Sequence, residues 1–299
     1  MKVLIIGSEG FIGSHLVDFY LLKGYEVIGV DLLDQSRLPI SYYQLNHQHD
    51  TLSDVLKQYS FDYCINAAGN GDVNLSVSNP EQDFKSNTFF TFQILEGLRL
   101  YNPNCKFLYI SSAAVYGNPE KLPVSETDSV KPISPYGWHK LLSENICKEY
   151  FELYNIQSAI VRPFSVYGPG LKKQIFWDIF NKSSNQNETL ELWGGGKEAR
   201  DFIYINDLVV AIDLILSQSN LKADVFNIAS GEMTLIHDVA NLLLKNLGIN
   251  KSVVFNGLVH KGNPIQWKAD ISKLNNLGFV PNMNIENGVF NLAAWLKSQ

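Results

Sequence analysis

Three side chains of this sequence have the types and the spacing for a proton transfer. Tyr136 and Lys140 stand four residues apart just after Pro135, so that on a helix they share one face. A free phenol has a pKa of about 10 and is a poor base at neutral pH, but a neighbouring ammonium favours the phenolate. Ser112 follows the strand-like run 106–110 and offers a hydroxyl to a reacting oxygen. We therefore predict Tyr136 as a general acid/base that works with Lys140 and Ser112.

The glycines near the start of the chain indicate a cofactor that could accept a hydride from the carbon whose hydroxyl Tyr136 deprotonates. The apolar run Val3 to Ile6 leads into three glycines at three-residue intervals, and apolar residues then recur with helical spacing. Strand, glycine turn and helix in this order are typical of a site that places a dinucleotide pyrophosphate on a helix N-terminus. We predict that a nicotinamide cofactor contacts the turn and the first helical residues: Gly7, Gly10, Phe11, Ile12 and Gly13.

The choice between NAD and NADP depends on the end of the second strand. Asp31 ends the strand-like run 26–31 and lies 18 residues past Gly13, where a carboxylate can bind both hydroxyls of the adenosine ribose. Because this carboxylate repels a 2′-phosphate, the sequence favours NAD. Arg37 lies close behind and leaves NADP open if it contacts that phosphate, although a solvated loop charge is the simpler interpretation.

The bulk composition argues against several other classes of protein. The 299 residues are 45% hydrophobic and 18% charged, as in ordinary globular domains, and the formal charge of −6 offers no basic field for nucleic acid. No apolar run is long enough to cross a bilayer, and no signal peptide is visible. Three widely separated cysteines fit reduced thiols, so we expect a cytoplasmic protein, and six histidines without ligand spacing predict no metal.

The elements that must position these residues alternate between strand and helix in the first half of the chain. Strands are predicted at 2–7, 26–31, 61–66, 106–112, 157–162 and 225–229, and helices at 12–23, 51–59, 80–101, 136–154, 207–217, 235–247 and 286–297. This alternation predicts an α/β fold with a parallel sheet covered by helices on both faces. We predict a nucleotide-binding domain over residues 1–165, to which 201–230 returns, and a smaller lobe from 166–200 and 231–299.

Together these motifs resemble the extended short-chain dehydrogenase/reductase superfamily, and within it the NAD-dependent nucleotide-sugar epimerase/dehydratase family. The resemblance runs over nearly the whole chain and implies a Rossmann-type doubly wound parallel sheet with a smaller C-terminal α/β substrate lobe. It also implies that Lys140 binds the nicotinamide ribose. The remaining cofactor contacts that it implies are Asp31, Asp50 near the adenine, Ala67, Ala68 and Asn87.

The resemblance continues through the segments that the family uses for a nucleotide-diphosphate sugar. The run 162–170 resembles its passage into the substrate lobe, and the run 194–204 resembles its diphosphate segment, in which Arg200 is the expected phosphate ligand. Ser165 stands where many epimerases have asparagine, and His260 stands where arginine is usual. Trp193 is a further candidate for the substrate pocket. Family habit also implies a homodimer built on the helices around 80–101 and 136–154, and a role in polysaccharide precursor synthesis.

Two alanines distinguish between the reactions of this family. Its dehydratases carry an Asp-Glu pair, or a single Glu, directly after the catalytic hydroxyl residue, where this chain has Ala113 and Ala114. Without those carboxylates we expect hydride chemistry alone, most simply a 4-epimerase that works through a transient 4-keto sugar with Tyr136 as acid/base. The alternatives are an NAD(P)H-dependent 4-ketoreductase of a 4-keto-6-deoxy sugar nucleotide and an NAD-binding relative without activity.

Overall fold

The structure, a computed structural model, describes residues 1–46, 51–185, 188–258 and 265–299. Asp50 and His260, which the sequence predicts to contact cofactor and substrate, lie outside these ranges. The strands are β1 (Lys2–Ile6), β2 (Glu26–Asp31), β3 (Ser41–Gln44), β4 (Tyr63–Asn66), β5 (Lys106–Ile110), β6 (Ser158–Pro163), β7 (Ser165–Tyr167), β8 (Thr189–Leu192), β9 (Ala199–Tyr204), β10 (Lys222–Ile228), β11 (Met233–Leu235) and β12 (Ser252–Phe255).

Helices follow most of these strands, as a parallel sheet requires. They are α1 (Phe11–Leu22), α2 (Thr51–Gln58), α3 (Val73–Ser78), α4 (Pro80–Phe84), α5 (Phe90–Tyr101), α6 (Pro135–Tyr154), α7 (Gln174–Ser183), α8 (Ile205–Gln218), α9 (Ile236–Leu247), α10 (Ser272–Asn275) and α11 (Ile285–Leu296). A short 3-10 turn, Ala113–Tyr116, follows β5. The single helix predicted over 80–101 is wrong in one respect, because a π-turn at Lys85–Phe89 separates α4 from α5.

Seven parallel strands form the central sheet in the order β10-β6-β5-β4-β1-β2-β3. Successive residues of a strand face opposite sides, and both sides of β1 are buried. Val3 and Ile5 pack with the apolar faces of α1 and α8, whereas Leu4 and Ile6 pack with α2, α5 and α6. The predicted Rossmann-type α/β fold is therefore confirmed.

The order of the strands reverses at β1, which pairs with β2 on one side and β4 on the other. In open parallel sheets a ligand binds at such a switch point, outside the carboxyl ends of the strands. The glycine turn follows β1 and Ser112 follows β5, so both open onto this edge.

Smaller sheets lie beyond β6. β7 pairs with β9, which also pairs with β11, and β8 pairs with β12. Between these segments the chain returns to the large sheet through α8 and β10, which pairs with β6. The predicted boundaries between the nucleotide-binding domain and the smaller lobe, at residues 165, 200 and 230, stay a prediction. Within the described residues, no helix combines the length and apolar character that a bilayer crossing requires.

Candidate active site

Close packing of the backbone requires glycine at two positions of the turn after β1. Gly7 has a φ of +84°, and a Cβ there would lie 2.7 Å from the backbone nitrogen of Ala68. A Cβ on Gly13 would overlap the Gly7 carbonyl oxygen, so this glycine permits α1 to pack on β1. Gly10 caps α1 without a side-chain hydrogen bond to its first N–H groups. These groups, which include those of Phe11 and Ile12, can therefore receive a pyrophosphate.

Asp31 faces the glycine turn from the end of β2. Its Oδ2 accepts a hydrogen bond from the Glu9 N–H at 2.9 Å, and its Oδ1 accepts one from the Leu32 N–H at 2.6 Å. Each oxygen retains lone pairs for ribose hydroxyls. Arg37 is turned toward Glu9, since its Nε donates to Glu9 Oε2 at 3.0 Å and its Nη2 donates to the Glu9 carbonyl at 2.9 Å.

The structure brings the three predicted catalytic side chains together at the end of β5. Lys140 Nζ lies 5.8 Å from the centre of the Tyr136 ring and donates to the Ile110 carbonyl at 3.0 Å. Ser112 is hydrogen-bonded to Tyr136 through its side chain. Its Oγ also accepts a hydrogen bond from the Ala114 N–H at 3.1 Å, which caps the 3-10 turn.

Burial sets the acidity of this site. It raises the pKa of Tyr136 to about 12, with the hydrogen bond from Ser112 acting in the opposite direction and the charge of Asp83 adding to the rise. Burial lowers the pKa of Lys140 to about 8, against the opposing charges of Asp83 and Glu144. The lowering of the tyrosine pKa expected from Lys140 does not dominate in this structure. Tyr136 is a phenol at neutral pH and Lys140 is still mainly an ammonium.

The start of α6 fixes Tyr136 relative to Ser112. Ser134 caps the helix by accepting a hydrogen bond from the Gly137 N–H at 3.2 Å, and Pro135 occupies its first turn. A Cβ on Gly137 would lie 2.7 Å from the Ala114 carbonyl oxygen, so the helix and the 3-10 turn approach closely only because this residue is glycine. The Tyr136 N–H donates to Ser76 Oγ of α3 at 3.1 Å.

A buried ion pair lies on the same side of α6, one turn beyond Lys140. Arg162 of β6 donates to both oxygens of Glu144, at 2.9 and 2.6 Å, and the two side chains are 3% and 0% exposed. The Ser111 hydroxyl donates to Glu144 Oε1 at 2.6 Å. This pair therefore ties α6 to β6 and to the residue directly before Ser112.

A second buried carboxylate connects the elements beside the site. Asp83, with a fully buried side chain, lies 2.6 Å from His139 Nδ1 and accepts hydrogen bonds from the amides of Asn70 at 2.9 Å and Asn87 at 3.2 Å. The π-turn carries Asn87, whose Oδ1 is buried and has no hydrogen-bond partner within the part of the chain that the structure describes. An acceptor of this kind fits a donor on the cofactor. Asn87 is implied by the family resemblance, whereas sequence reasoning misses Asp83 and His139, since 56 residues separate them.

The predicted substrate residues lie in the small sheets. Ser165 begins β7 and pairs with Phe202 of β9. Arg200, also on β9, donates from Nη1 to the carbonyls of Ala199 and Ile265 at 2.9 and 3.0 Å. Burial lowers the pKa of Arg200. Trp193 is half exposed.

Comparison with known proteins identifies the family. The family model described as "NAD dependent epimerase/dehydratase family" matches residues 3–229. This chain belongs to that family. Among curated relatives, the UDP-glucuronate 4-epimerase of Thermodesulfobacterium geofontis is 28% identical over 98% of this chain and 95% of its own length. The family depends on NAD, which confirms the predicted cofactor.

Solved structures agree with this assignment. The UDP-glucuronic acid 4-epimerase of Bacillus cereus, crystallised with UDP-glucuronic acid and NAD, superposes with a TM-score of 0.90 at 29% identity and covers 100% of this chain and 99% of its own. The UDP-glucose 4-epimerase of Thermotoga maritima, crystallised with UDP-glucose, gives 0.91 at 27% identity with the same coverage. The prediction of an NAD-dependent nucleotide-sugar 4-epimerase is thereby confirmed over the 4-ketoreductase.

Proposed function

We propose that this epimerase acts on a UDP-sugar, with Tyr136, Lys140 and Ser112 as its catalytic residues. The observation that carries the assignment of the site is the meeting of these three side chains at the sheet edge that the glycine turn also faces. Ala113 and Ala114 follow Ser112 in the 3-10 turn, where an elimination would need a carboxylic acid. The chemistry is therefore limited to moving a hydride and a proton at one carbon.

The chain fits an NAD molecule at this edge. We assign the pyrophosphate to the turn from Gly7 to Gly13, the adenosine ribose to Asp31, and the nicotinamide ribose to Lys140 and Asn87. The N–H groups at the start of α1, which no side chain caps, and the Asn87 Oδ1, which has no partner among the described residues, support this assignment, as do Ala67 and Ala68, whose backbone borders Gly7. When bound, NAD accepts a hydride from the sugar and returns it.

The protein residues handle the proton. As the phenolate, Tyr136 takes the proton of the sugar 4-hydroxyl, and as the phenol so formed it gives that proton back to the 4-keto oxygen, while Ser112 holds the same oxygen by a hydrogen bond. Because burial disfavours the phenolate, the ammonium of Lys140 has to offset that cost when the proton moves. Lys140 is held for this purpose by the Ile110 carbonyl at 3.0 Å.

The nucleotide is assigned to the small sheets. We place the diphosphate beside Arg200, whose guanidinium suits phosphate oxygens, with Ser165 and Trp193 lining the same pocket. The crystallised 4-epimerases of Bacillus cereus and Thermotoga maritima hold UDP-sugars, which supports uridine as the base.

The decisive experiment uses the purified protein without added cofactor. It is incubated with UDP-glucose, UDP-galactose, UDP-glucuronic acid and UDP-N-acetylglucosamine, and products are separated by chromatography. We expect conversion between one C4 pair, with NAD released on denaturation. Tyr136→Phe should retain NAD and lose turnover, whereas the matched control Tyr154→Phe, at an exposed site on the same helix, should retain both. Conversion by Tyr136→Phe at the wild-type rate would contradict the assigned acid/base.

We also propose that the protein is a homodimer through α5 and α6. Both helices leave large apolar side chains exposed, which suits burial against a second copy. These are Phe92, Leu100, Leu142 and Leu153. Light scattering after size-exclusion chromatography should give twice the chain mass of 33.7 kDa, and Leu153→Glu should shift it toward the monomer. A monomer at micromolar concentration would contradict the proposal. A cytoplasmic location stays a prediction.

A further inference from the structure

Glu9, inside the glycine turn, carries a buried carboxylate that the reaction does not use. Its side chain is 2% exposed, and it accepts hydrogen bonds from the Ser36 hydroxyl at 2.6 Å and from Arg37 Nε at 3.0 Å. Burial acts to raise its pKa, but the hydrogen bonds from Ser36 and Arg37 outweigh burial and lower it. Glu9 is therefore ionised at neutral pH, and its charge depends on these partners.

Glu9 lies next to the residue that is assigned to the adenosine ribose of the cofactor. Its N–H donates to Asp31 Oδ2 at 2.9 Å, so Glu9 adjoins the carboxylate assigned to the adenosine ribose. NADP-binding relatives of this fold use an arginine near this position to accept the phosphate. Apart from histidines, Arg37 is the only cationic residue in the sequence between Lys23 and Lys57.

Arg37 is committed to Glu9 through two of its donor groups. Nε binds the Glu9 carboxylate and Nη2 binds the Glu9 carbonyl at 2.9 Å. The arginine itself is 70% exposed, so the pair gains little from Coulomb attraction alone. Moving Arg37 to a phosphate would nevertheless leave the Glu9 charge buried with one partner fewer, which is costly.

We propose that Glu9 is a specificity residue for the cofactor, because it holds Arg37 away from a 2′-phosphate and so makes the protein select NAD over NADP. The inference rests on the proposed cofactor site. It also resolves the ambiguity that Arg37 left in the sequence. In this role Glu9 and Asp31 act together, one withholding the cation and the other binding the ribose hydroxyls.

The test compares Glu9→Gln, Arg37→Gln and the double variant with the wild type. Full-length protein, freed of the NAD that co-purifies with it, is titrated with NADH and with NADPH while nicotinamide fluorescence is recorded, and the ratio of the two dissociation constants is the readout. We expect Glu9→Gln to shift the ratio toward NADPH by about tenfold, since a freed guanidinium binds phosphate well. The double variant should lose most of that gain, and Arg37→Gln alone should not weaken NADPH binding. Glu26→Gln, at the other end of β2, controls for the loss of one negative charge.

Several results would overturn the inference. An unchanged ratio in Glu9→Gln would do so, as would a double variant that keeps the full gain, since Arg37 would then not be the phosphate ligand. If Glu9→Gln fails to fold, Arg37→Gln still decides: weaker NADPH binding in that variant alone would place Arg37 on the phosphate in the native protein. Failure of the wild type to bind either nucleotide would overturn the cofactor site as well, whereas NADH binding with an unchanged ratio would overturn this inference only.

Discussion

Removing the charge of Glu144 should destabilise the protein far more than removing the charge of an exposed glutamate. Glu144 and Arg162 form a two-point ion pair whose side chains are 0% and 3% exposed. Neutralising one partner of such a pair leaves the other buried without compensation, which typically costs about 3–5 kcal/mol. The hydroxyl of Ser111 retains an acceptor in Glu144→Gln, so the loss comes mainly from the orphaned guanidinium.

The chain supplies a matched control on α5. Glu96 and Arg99 also form a two-point pair, at 2.7 Å for both contacts, but their side chains are 33% and 34% exposed. Exposed pairs of this kind contribute about 0.2–1 kcal/mol. Equilibrium urea unfolding of Glu144→Gln and Glu96→Gln should therefore separate the two variants by at least about 2 kcal/mol.

A third variant identifies the cause of the loss. When both members of a buried pair are replaced by apolar residues of similar size, stability is often retained or increased. The double variant Glu144→Met/Arg162→Met should therefore be more stable than Glu144→Gln. If Glu144→Gln unfolded within about 1 kcal/mol of Glu96→Gln, burial would not be the source of the cost. A double variant as unstable as the single one would assign the loss to packing and not to charge.

Three further outcomes are expected. Gly13→Ala should lose the cofactor and unfold at a lower urea concentration than the wild type, because its methyl overlaps the Gly7 carbonyl. In the control Gly97→Ala the methyl would lie 2.6 Å from the end of a flexible leucine side chain. Its free energy of unfolding should stay within about 1 kcal/mol of the wild type. Tyr136→Phe should lower turnover by at least about 100-fold with full NAD content on extraction, and loss of both would contradict a purely chemical role. Lys140 has a pKa of about 8 in the folded protein and of about 10.4 in the unfolded chain. Between these pH values the unfolded chain binds more protons, so the contribution of Lys140 to the free energy of unfolding rises with pH. The stability advantage of Lys140→Met over the wild type should therefore shrink from pH 7 to 9.5, and a constant advantage would contradict this pKa shift.

Local sequence patterns predict the parts of the fold that depend on local physics. Runs of apolar residues that must be buried on both faces identify β1, β2, β5 and β6 within a few residues. Glycine spacing predicts the turn after β1, because only glycine permits the φ of +84° at Gly7 and the close packing at Gly13. Helical spacing alone is enough to predict that Tyr136 and Lys140 share one face of α6.

Contacts between distant segments cannot be predicted in the same way. Nothing near His139 in sequence marks it as a functional residue, yet it meets Asp83 at 2.6 Å. Glu9 and Arg37 are 28 residues apart and belong to two different loops. The π-turn that carries Asn87 has the composition of an ordinary helix, so its extra residue leaves no periodic signal. The strand β7 is missed because its three residues are too few to show alternation.

The way in which Tyr136 and Arg200 are held suits the reaction of a 4-epimerase. The enzyme must return a hydride to the opposite face of the same carbon, so the sugar has to turn while the acid/base stays in place. Tyr136 stays in place because α6 is fixed at both ends of its active face, by Gly137 against the 3-10 turn and by Glu144 against Arg162. Arg200, by contrast, donates to the carbonyls of Ala199 and Ile265, lies over the Trp267 ring, and has no salt bridge among the described residues. In the proposed site, a fixed acid/base on α6 and a phosphate-binding arginine on a separate sheet would let the nucleotide be held while the sugar ring rotates between the two hydride transfers.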